Sequence, residues 1–100
     1  MDKRIKSLIS LCQKAGKIIS GEESCERALQ KKNAKLVLIC EDASDNTKKK
    51  FINKAFYYKV DAIIFGTKDD ISNAIGKINR ATIIVTDENF ANKLKELIGN

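Results

Sequence analysis

The sequence predicts an α/β chain folded as a three-layer α/β/α sandwich around a four-stranded sheet. Two observations carry that class. Segments with apolar residues at i, i+3 and i+4, the spacing of one helix face, alternate along the chain with short unbroken apolar runs. Such runs suit strands buried beneath helices on both faces. The 100 residues also contain no proline, and no linker, low-complexity stretch or internal repeat divides them, so residues 1–100 read as one domain. A hydrophobic content of 43% supplies a core that needs no staples.

Each element follows from local spacing. Asp2 is placed to cap a first helix on which Ile5, Leu8, Ile9 and Cys12 trace one stripe, with Lys3, Arg4, Lys6 and Lys14 off it. Ala15 and Gly16 end that helix, and residues 17–20 make a short first strand. Gly21 opens a second helix, whose narrow stripe is Cys25, Ala28 and Leu29. Arg27, Lys31 and Lys32 face elsewhere, and Asn33 is read as its stop. Residues 36–40 are a continuous apolar run expected at the centre of the sheet. Glu41, Asp42, Ala43 and Ser44 form its polar exit, and Ser44 or Asp45 can cap a third helix. That helix carries Lys48, Lys49 and Lys50, then Phe51, Ile52, Ala55 and Phe56, with Tyr57 and Tyr58 near its end. The lysines read as a solvated face, and the aromatics as either core or stacking platforms.

A third buried strand is expected over residues 60–65, stopped by Gly66. Thr67 with Asp70 three residues on resembles a capping box, and starts a fourth helix with Ile71, Ala74 and Ile75 inward. Gly76 ends it. Lys77, Ile78, Asn79 and Arg80 form a loop before the fourth strand, residues 81–85. Thr86 or Asp87 caps a last helix with Phe90, Leu94, Leu97 and Ile98 inward.

Composition narrows the function. Net charge is +6, and residues 1–35 hold nine Lys/Arg against four acids, so the excess sits in the first third. A basic patch suggests a polyanion such as RNA; ordinary solubility is the other reading. No apolar run nears the roughly 18 residues of a membrane span, and charges interrupt residues 1–10, so a cytoplasmic protein is expected. Cys12, Cys25 and Cys40 read as buried small hydrophobes. Histidine is absent, which removes the commonest general base and zinc ligand. There is no C-x-x-C pair, phosphate loop or dinucleotide fingerprint. No enzyme activity, metal or cofactor is expected.

Two acid pairs remain. Asp69 and Asp70 suit the first turn of a helix. Glu41 and Asp42 end a central strand, where ligands of open α/β sheets usually lie. A strand-end Asp also resembles a receiver-type phosphoacceptor, but no acidic pair follows the first strand to hold magnesium.

Candidate nucleic-acid contacts cluster on two loops. At the start of the second helix, Gly21, Glu22, Glu23 and Ser24 offer free N–H groups, with Arg27 one turn on able to pair with a guanine edge. The alternative is that Glu22 and Glu23 are first-turn acids suited to the helix dipole. In the second loop, Lys77 and Arg80 could hold backbone phosphates, or the segment could be a solvated turn.

Read whole, the chain resembles the kink-turn-binding ribosomal protein family, of the archaeal L-seven-Ae and L-thirty-e type, and within it the small bacterial YlxQ-like branch. The residues that carry the resemblance run in order along nearly the whole chain: Ser20-Gly21-Glu22, Ala34-Lys35-Leu36-Val37-Leu38, Glu41-Asp42-Ala43-Ser44 and Tyr57-Tyr58-Lys59-Val60. They continue with Ile75-Gly76-Lys77 and Val85-Thr86-Asp87, then Phe90-Ala91-Asn92-Lys93-Leu94. The resemblance implies the same sandwich, with a mixed four-stranded sheet flanked by five helices. In that family a Gly-Thr-Asn-Glu-x-x-Lys helix start reads sheared G·A pairs. Counting back from Ala34 and Lys35 puts Gly21 on the family Gly and Arg27 on its Lys. Glu23 and Ser24 fall on the Asn and Glu positions and depart from them, and Ile78-Asn79-Arg80 replaces a second RNA loop that is apolar at its tip.

The implied function is a non-enzymatic, ribosome- or translation-associated protein that recognises structured, kink-turn-like RNA through a helix N-terminus and a neighbouring loop. The expected contacts are Gly21, Glu22, Glu23, Ser24, Arg27, Lys31, Lys35, Glu41, Lys77, Ile78, Asn79 and Arg80. Expected partners are RNA, ribosomal or otherwise structured, and ribosomal proteins; no membrane is expected, and the chain is expected to be a monomer. The alternative is a protein-interaction or ribosome-assembly module with a degenerate RNA surface, which Glu23 and Ser24 motivate.

Overall fold

Helices and strands alternate along the chain in a computed structural model that describes residues 1–99: α1 (Lys3–Lys14), β1 (Ile18–Ser20), α2 (Glu22–Gln30), β2 (Leu36–Ile39), α3 (Asp45–Tyr58), β3 (Asp61–Ile64), α4 (Lys68–Ile75), β4 (Thr82–Val85) and α5 (Glu88–Gly99). The strands form a mixed sheet in the order β1-β4-β2-β3. β4 runs antiparallel to both neighbours, pairing Ser20 with Ile83 and Ile39 with Thr82, while β2 and β3 are parallel.

Alternation along the two central strands divides the core. Leu36, Leu38, Ile83 and Val85 meet Ile5, Ile9 and Cys12 of α1, Ile71 and Ile75 of α4, and Leu94 of α5. Val37, Ile39 and Ile84 point the other way, onto Cys25, Ala28 and Leu29 of α2 and Phe51 and Ala55 of α3. The result is the three-layer α/β/α sandwich expected. Phe51 is fully buried, and truncating such a side chain to Ala costs about 3–5 kcal/mol.

Side-chain caps start the helices where the spacing places them. The carboxylate of Asp2 accepts from the Arg4 N–H, Ser44 Oγ from the Thr47 N–H, Thr67 Oγ1 from the Asp70 N–H and Asp87 from the Phe90 N–H. Two local expectations are corrected. α2 stops at Gln30, ahead of Asn33, because Lys32 takes the left-handed conformation (φ 59°) that turns the chain toward β2. β3 is not a buried strand: it lies at the sheet's edge, and Asp61, Ala62 and Ile64 are exposed. An edge strand is covered less fully than a central one, and an apolar run does not distinguish the two. All three cysteines are buried, and burial pushes their thiols up, to about 11 for Cys12 and Cys40 and about 12 for Cys25.

Candidate nucleic-acid interface

The sheet register fixes which loops meet. Because β1 and β2 both pair antiparallel with β4, the end of β1, the exit of β2 and the entry to β4 lie at one end of the sheet. There the starts of α2, α3 and α4 surround an open cleft of about 290 Å³. Gly21 and Glu22 form one wall, Ser44 and Thr47 a second, and Asn79, Arg80 and Lys68 close it, over Thr82.

Gly21 makes the first wall possible. It sits at φ 94° and ψ 143°, a conformation that favours glycine, and passes directly from β1 into α2. It brings no side chain to cap α2, so the first N–H groups of that helix are left for water or a ligand. Glu22 stands beside them and is held in place: the Thr47 hydroxyl donates to its carboxylate at 2.7 Å. The Ser44 hydroxyl in turn donates to Thr47 Oγ1 at 3.0 Å, so one chain of hydrogen bonds joins the cap of α3 to the first residue of α2. An ion pair between Lys50 and Glu26 ties α3 to α2 further along, and its hydrogen bond holds the Lys50 ammonium above the usual lysine range.

Arg80 is fixed on three sides. Its N–H donates to Ser72 Oγ at 2.8 Å, its carbonyl accepts from Cys40 Sγ at 3.5 Å, and its Nε donates to Ser20 Oγ at 3.2 Å. The two terminal guanidinium nitrogens take no partner among the described residues. A half-buried, pre-oriented guanidinium with two free amino groups is suited to a phosphate or a base edge. Before it, Gly76 and Asn79 both turn left-handed (φ 69° and 55°), which carries Lys77 and Ile78 out to an exposed tip; Ile78 is 85% exposed.

The twelve sequence candidates separate accordingly. Gly21, Glu22, Asn79 and Arg80 line the cleft. Glu23, Ser24 and Arg27 continue from it along α2; Arg27 is exposed and stands 4.0 Å from Glu23. Lys77 and Ile78 lie in the loop that ends at Arg80 and share with Asn79 a shallow depression over α4. Glu41 is at the same end but is engaged structurally: its carboxylate accepts from the Gly66 N–H at 2.8 Å, and its own N–H donates to the Gly66 carbonyl at 2.7 Å. Asp42 accepts from the Lys68 N–H at 2.9 Å, so the acid pair straps the exit of β2 to the turn before α4. Lys31 and Lys35 are not brought into this cluster. Lys31 caps the far end of α2, and the Lys35 N–H donates to Val85, at the opposite end of β4.

Thr47, Lys68 and Thr82 are members of the cleft that the sequence did not flag. Thr47 lies 25 residues from the carboxylate it binds, and nothing in local spacing joins them. Thr82 is buried at 1% exposure, and its hydroxyl has no hydrogen-bond partner among the described residues. No group of three or more acids or thiols that could hold a metal ion occurs among the described residues, and no described helix is long and apolar enough to cross a membrane.

Known proteins place this fold. The model of the ribosomal protein L7Ae/L30e/S12e/Gadd45 family matches residues 3–95. Two relatives that both carry the name RNA-binding protein YlxQ are 42% identical. The one from Bacillus subtilis (strain 168) aligns over 91 residues, 91% of each chain. The one from Enterococcus faecium aligns over 92 residues, 92% of this chain and 88% of the relative. Among solved structures, a protein of unknown function from Bacillus halodurans C is similar with a TM-score of 0.95 and 33% identity, over 99% of this chain and 100% of that one. The Giardia lamblia 15.5kD RNA binding protein has a TM-score of 0.79 over 99% of this chain and 88% of its own, and at 16% identity it attests the fold alone.

Proposed function

The chain belongs to the ribosomal protein L7Ae/L30e/S12e/Gadd45 family, and from that premise we propose that it is a non-enzymatic RNA-binding protein, one domain over residues 1–100. It reads structured, kink-turn-like RNA at the end of the sheet where α2 begins and the loop before β4 closes. The single observation that carries this reading is Arg80, anchored through Nε to Ser20 beside the uncapped start of α2. Free helix N–H groups and a rigid guanidinium across one cleft can grip the backbone and a base edge together. The two relatives named RNA-binding protein YlxQ support RNA as the partner. Work on the ribosome or in translation, in the cytoplasm and as a monomer, completes the proposal.

Replacing Arg27→Glu and Arg80→Glu together tests the site. Each reversal puts a carboxylate where a phosphate is expected, so gel-shift affinity for a structured RNA falls by about a hundredfold or more. Unchanged affinity would place the RNA elsewhere on the protein.

A second reading is favoured by Glu22, whose carboxylate lines the cleft and is held there by Thr47. A negative wall suits an RNA phosphate poorly, and it points to a protein-interaction or ribosome-assembly module with a degenerate RNA surface. A protein partner recovered equally well after nuclease treatment would support that reading over the first.

A further inference from the structure

Helix α3 leads from the cleft to a surface that the cleft does not use. Its inner face is core, with Phe51 and Ala55 fully buried. Its outer face presents Phe56 at 86% exposure and Tyr57 at 77%, with Ile52 beside Phe56 at 43%. Rings this open contribute little to folding, because most of their apolar area stays in water. Tyr57 is steadied by a T-shaped contact with the half-buried Tyr58 (centroids 4.9 Å, interplanar 88°), which leaves ring area of Tyr57 open. No aromatic ring or ammonium covers Phe56 among the described residues.

Charge chooses the occupant. α3 carries Lys48, Lys49, Lys50 and Lys54, with Lys59 as its C-cap, against Asp45 as its one acid, at the far end. Only Lys50 among these lysines is taken by an ion pair in the described residues. Docking α3 against its counterpart on a second copy would press two such lysine sets together. A polyanion with flat, apolar bases satisfies both rings and cations, and a duplex hides its bases. We infer that the outer face of α3 is a second RNA surface, which takes a single-stranded segment by stacking bases on Phe56 and Tyr57 while Lys49 and its neighbours meet the phosphates. Asn53 lies one turn before both rings and can reach a base edge. The inference rests on the RNA-binding reading above and extends it. From Thr47 in the cleft to Tyr57, α3 rises about 15 Å, so one RNA can occupy the cleft and run along the helix.

The chain has two tyrosines and no tryptophan, so tyrosine emission reports directly on Tyr57 and Tyr58. The test titrates a uridine decamer, and separately a kink-turn RNA with and without a single-stranded uridine tail. In wild type the decamer quenches tyrosine emission, and the tail adds about tenfold or more to the affinity of the kink-turn RNA. The Phe56→Ala, Lys49→Glu variant, both exposed positions with Tyr57 kept, loses the quenching and the tail's increment but binds the untailed RNA as before. Arg80→Ala does the reverse: it weakens the untailed RNA and leaves the decamer quenching intact. A wild-type protein that fails to bind the untailed RNA yet shows the quenching would therefore count against the cleft alone. Quenching and tail increment unchanged in the Phe56→Ala, Lys49→Glu variant overturn the inference. So does a wild-type dimer in sedimentation that Phe56→Ala converts to monomer, which would make this face a protein interface.

Discussion

The Nε of Arg80 donates to Ser20 Oγ at 3.2 Å across 60 residues of sequence, and this bond joins the loop before β4 to the last residue before Gly21. It aligns the two loops that the proposed RNA site requires. Ser20→Ala removes the acceptor and leaves the fold, because Arg80 keeps its backbone contacts to Ser72 and Cys40. RNA affinity should fall about three- to tenfold, as the guanidinium loses its orientation but not its charge. In a double-mutant cycle with Arg80→Ala the two losses should be strongly non-additive. Additive losses would show that the bond does not position Arg80.

Gly21 is needed for its backbone conformation and not for space. A Cβ built there meets nothing within 4 Å, yet φ is 94°. Gly21→Ala should therefore destabilise the protein by about 1–3 kcal/mol in urea unfolding, with RNA binding reduced as the start of α2 shifts. A stability equal to wild type would mean that the turn relaxes freely.

Thr82 is a place where stability is forgone. Its hydroxyl is buried without a partner among the described residues, on an otherwise apolar strand. Thr82→Val should stabilise the fold by about 1 kcal/mol, read as a higher urea midpoint. RNA binding should be unchanged, since a hydroxyl hidden from solvent is also hidden from a ligand. Weaker RNA binding by this variant would make Thr82 a contact and not merely the floor of the cleft.

The thiols make stability fall in alkali. Against the usual thiol value of 9.0, burial raises Cys12 and Cys40 to about 11 and Cys25 to about 12. Below pH 9 all three are protonated whether the chain is folded or not. Between 9 and about 11 the unfolded chain releases these protons and the folded chain keeps them, so unfolding is favoured as pH rises. Urea midpoints should drop steadily from pH 9 to pH 10, and a variant with all three changed to Ala, weaker overall, should show a shallower drop.

Much of this architecture is legible in the sequence because it is local. The stripe through Ile5, Ile9 and Cys12, the caps at Asp2, Ser44 and Thr67, and the run from Leu36 to Ile39 are each set by neighbours within a few residues. Spacing does not separate the outer aromatics from the inner one: Phe51 and Phe56 both read as apolar helix positions, and only the packing of α3 buries one and exposes the other. Nor could spacing tell that β3 lies at an edge, since its run of Ala62, Ile63 and Ile64 is as apolar as a central strand. Within the site, Gly21 and Arg80 are visible in the sequence as a turn glycine and a loop cation. The hydroxyls that hold the site are not: Ser20 meets Arg80 across 60 residues and Thr47 meets Glu22 across 25, and a hydroxyl carries no signal of the carboxylate or N–H it will meet. Glu41 shows the converse, a residue that looks ligand-facing at a strand end and is spent on Gly66.

We propose that the cleft beside Gly21 and Arg80 reads RNA shape and not merely its charge. The most direct measurement is binding of the wild-type protein to a kink-turn RNA and to a straight duplex of equal length, across a salt series. Counterion release weakens both alike as salt rises, so the difference between them isolates shape. A preference for the kinked RNA of about tenfold or more that persists at the higher salt is the predicted result. Equal affinities that fade together would contradict the claim and leave only a basic surface.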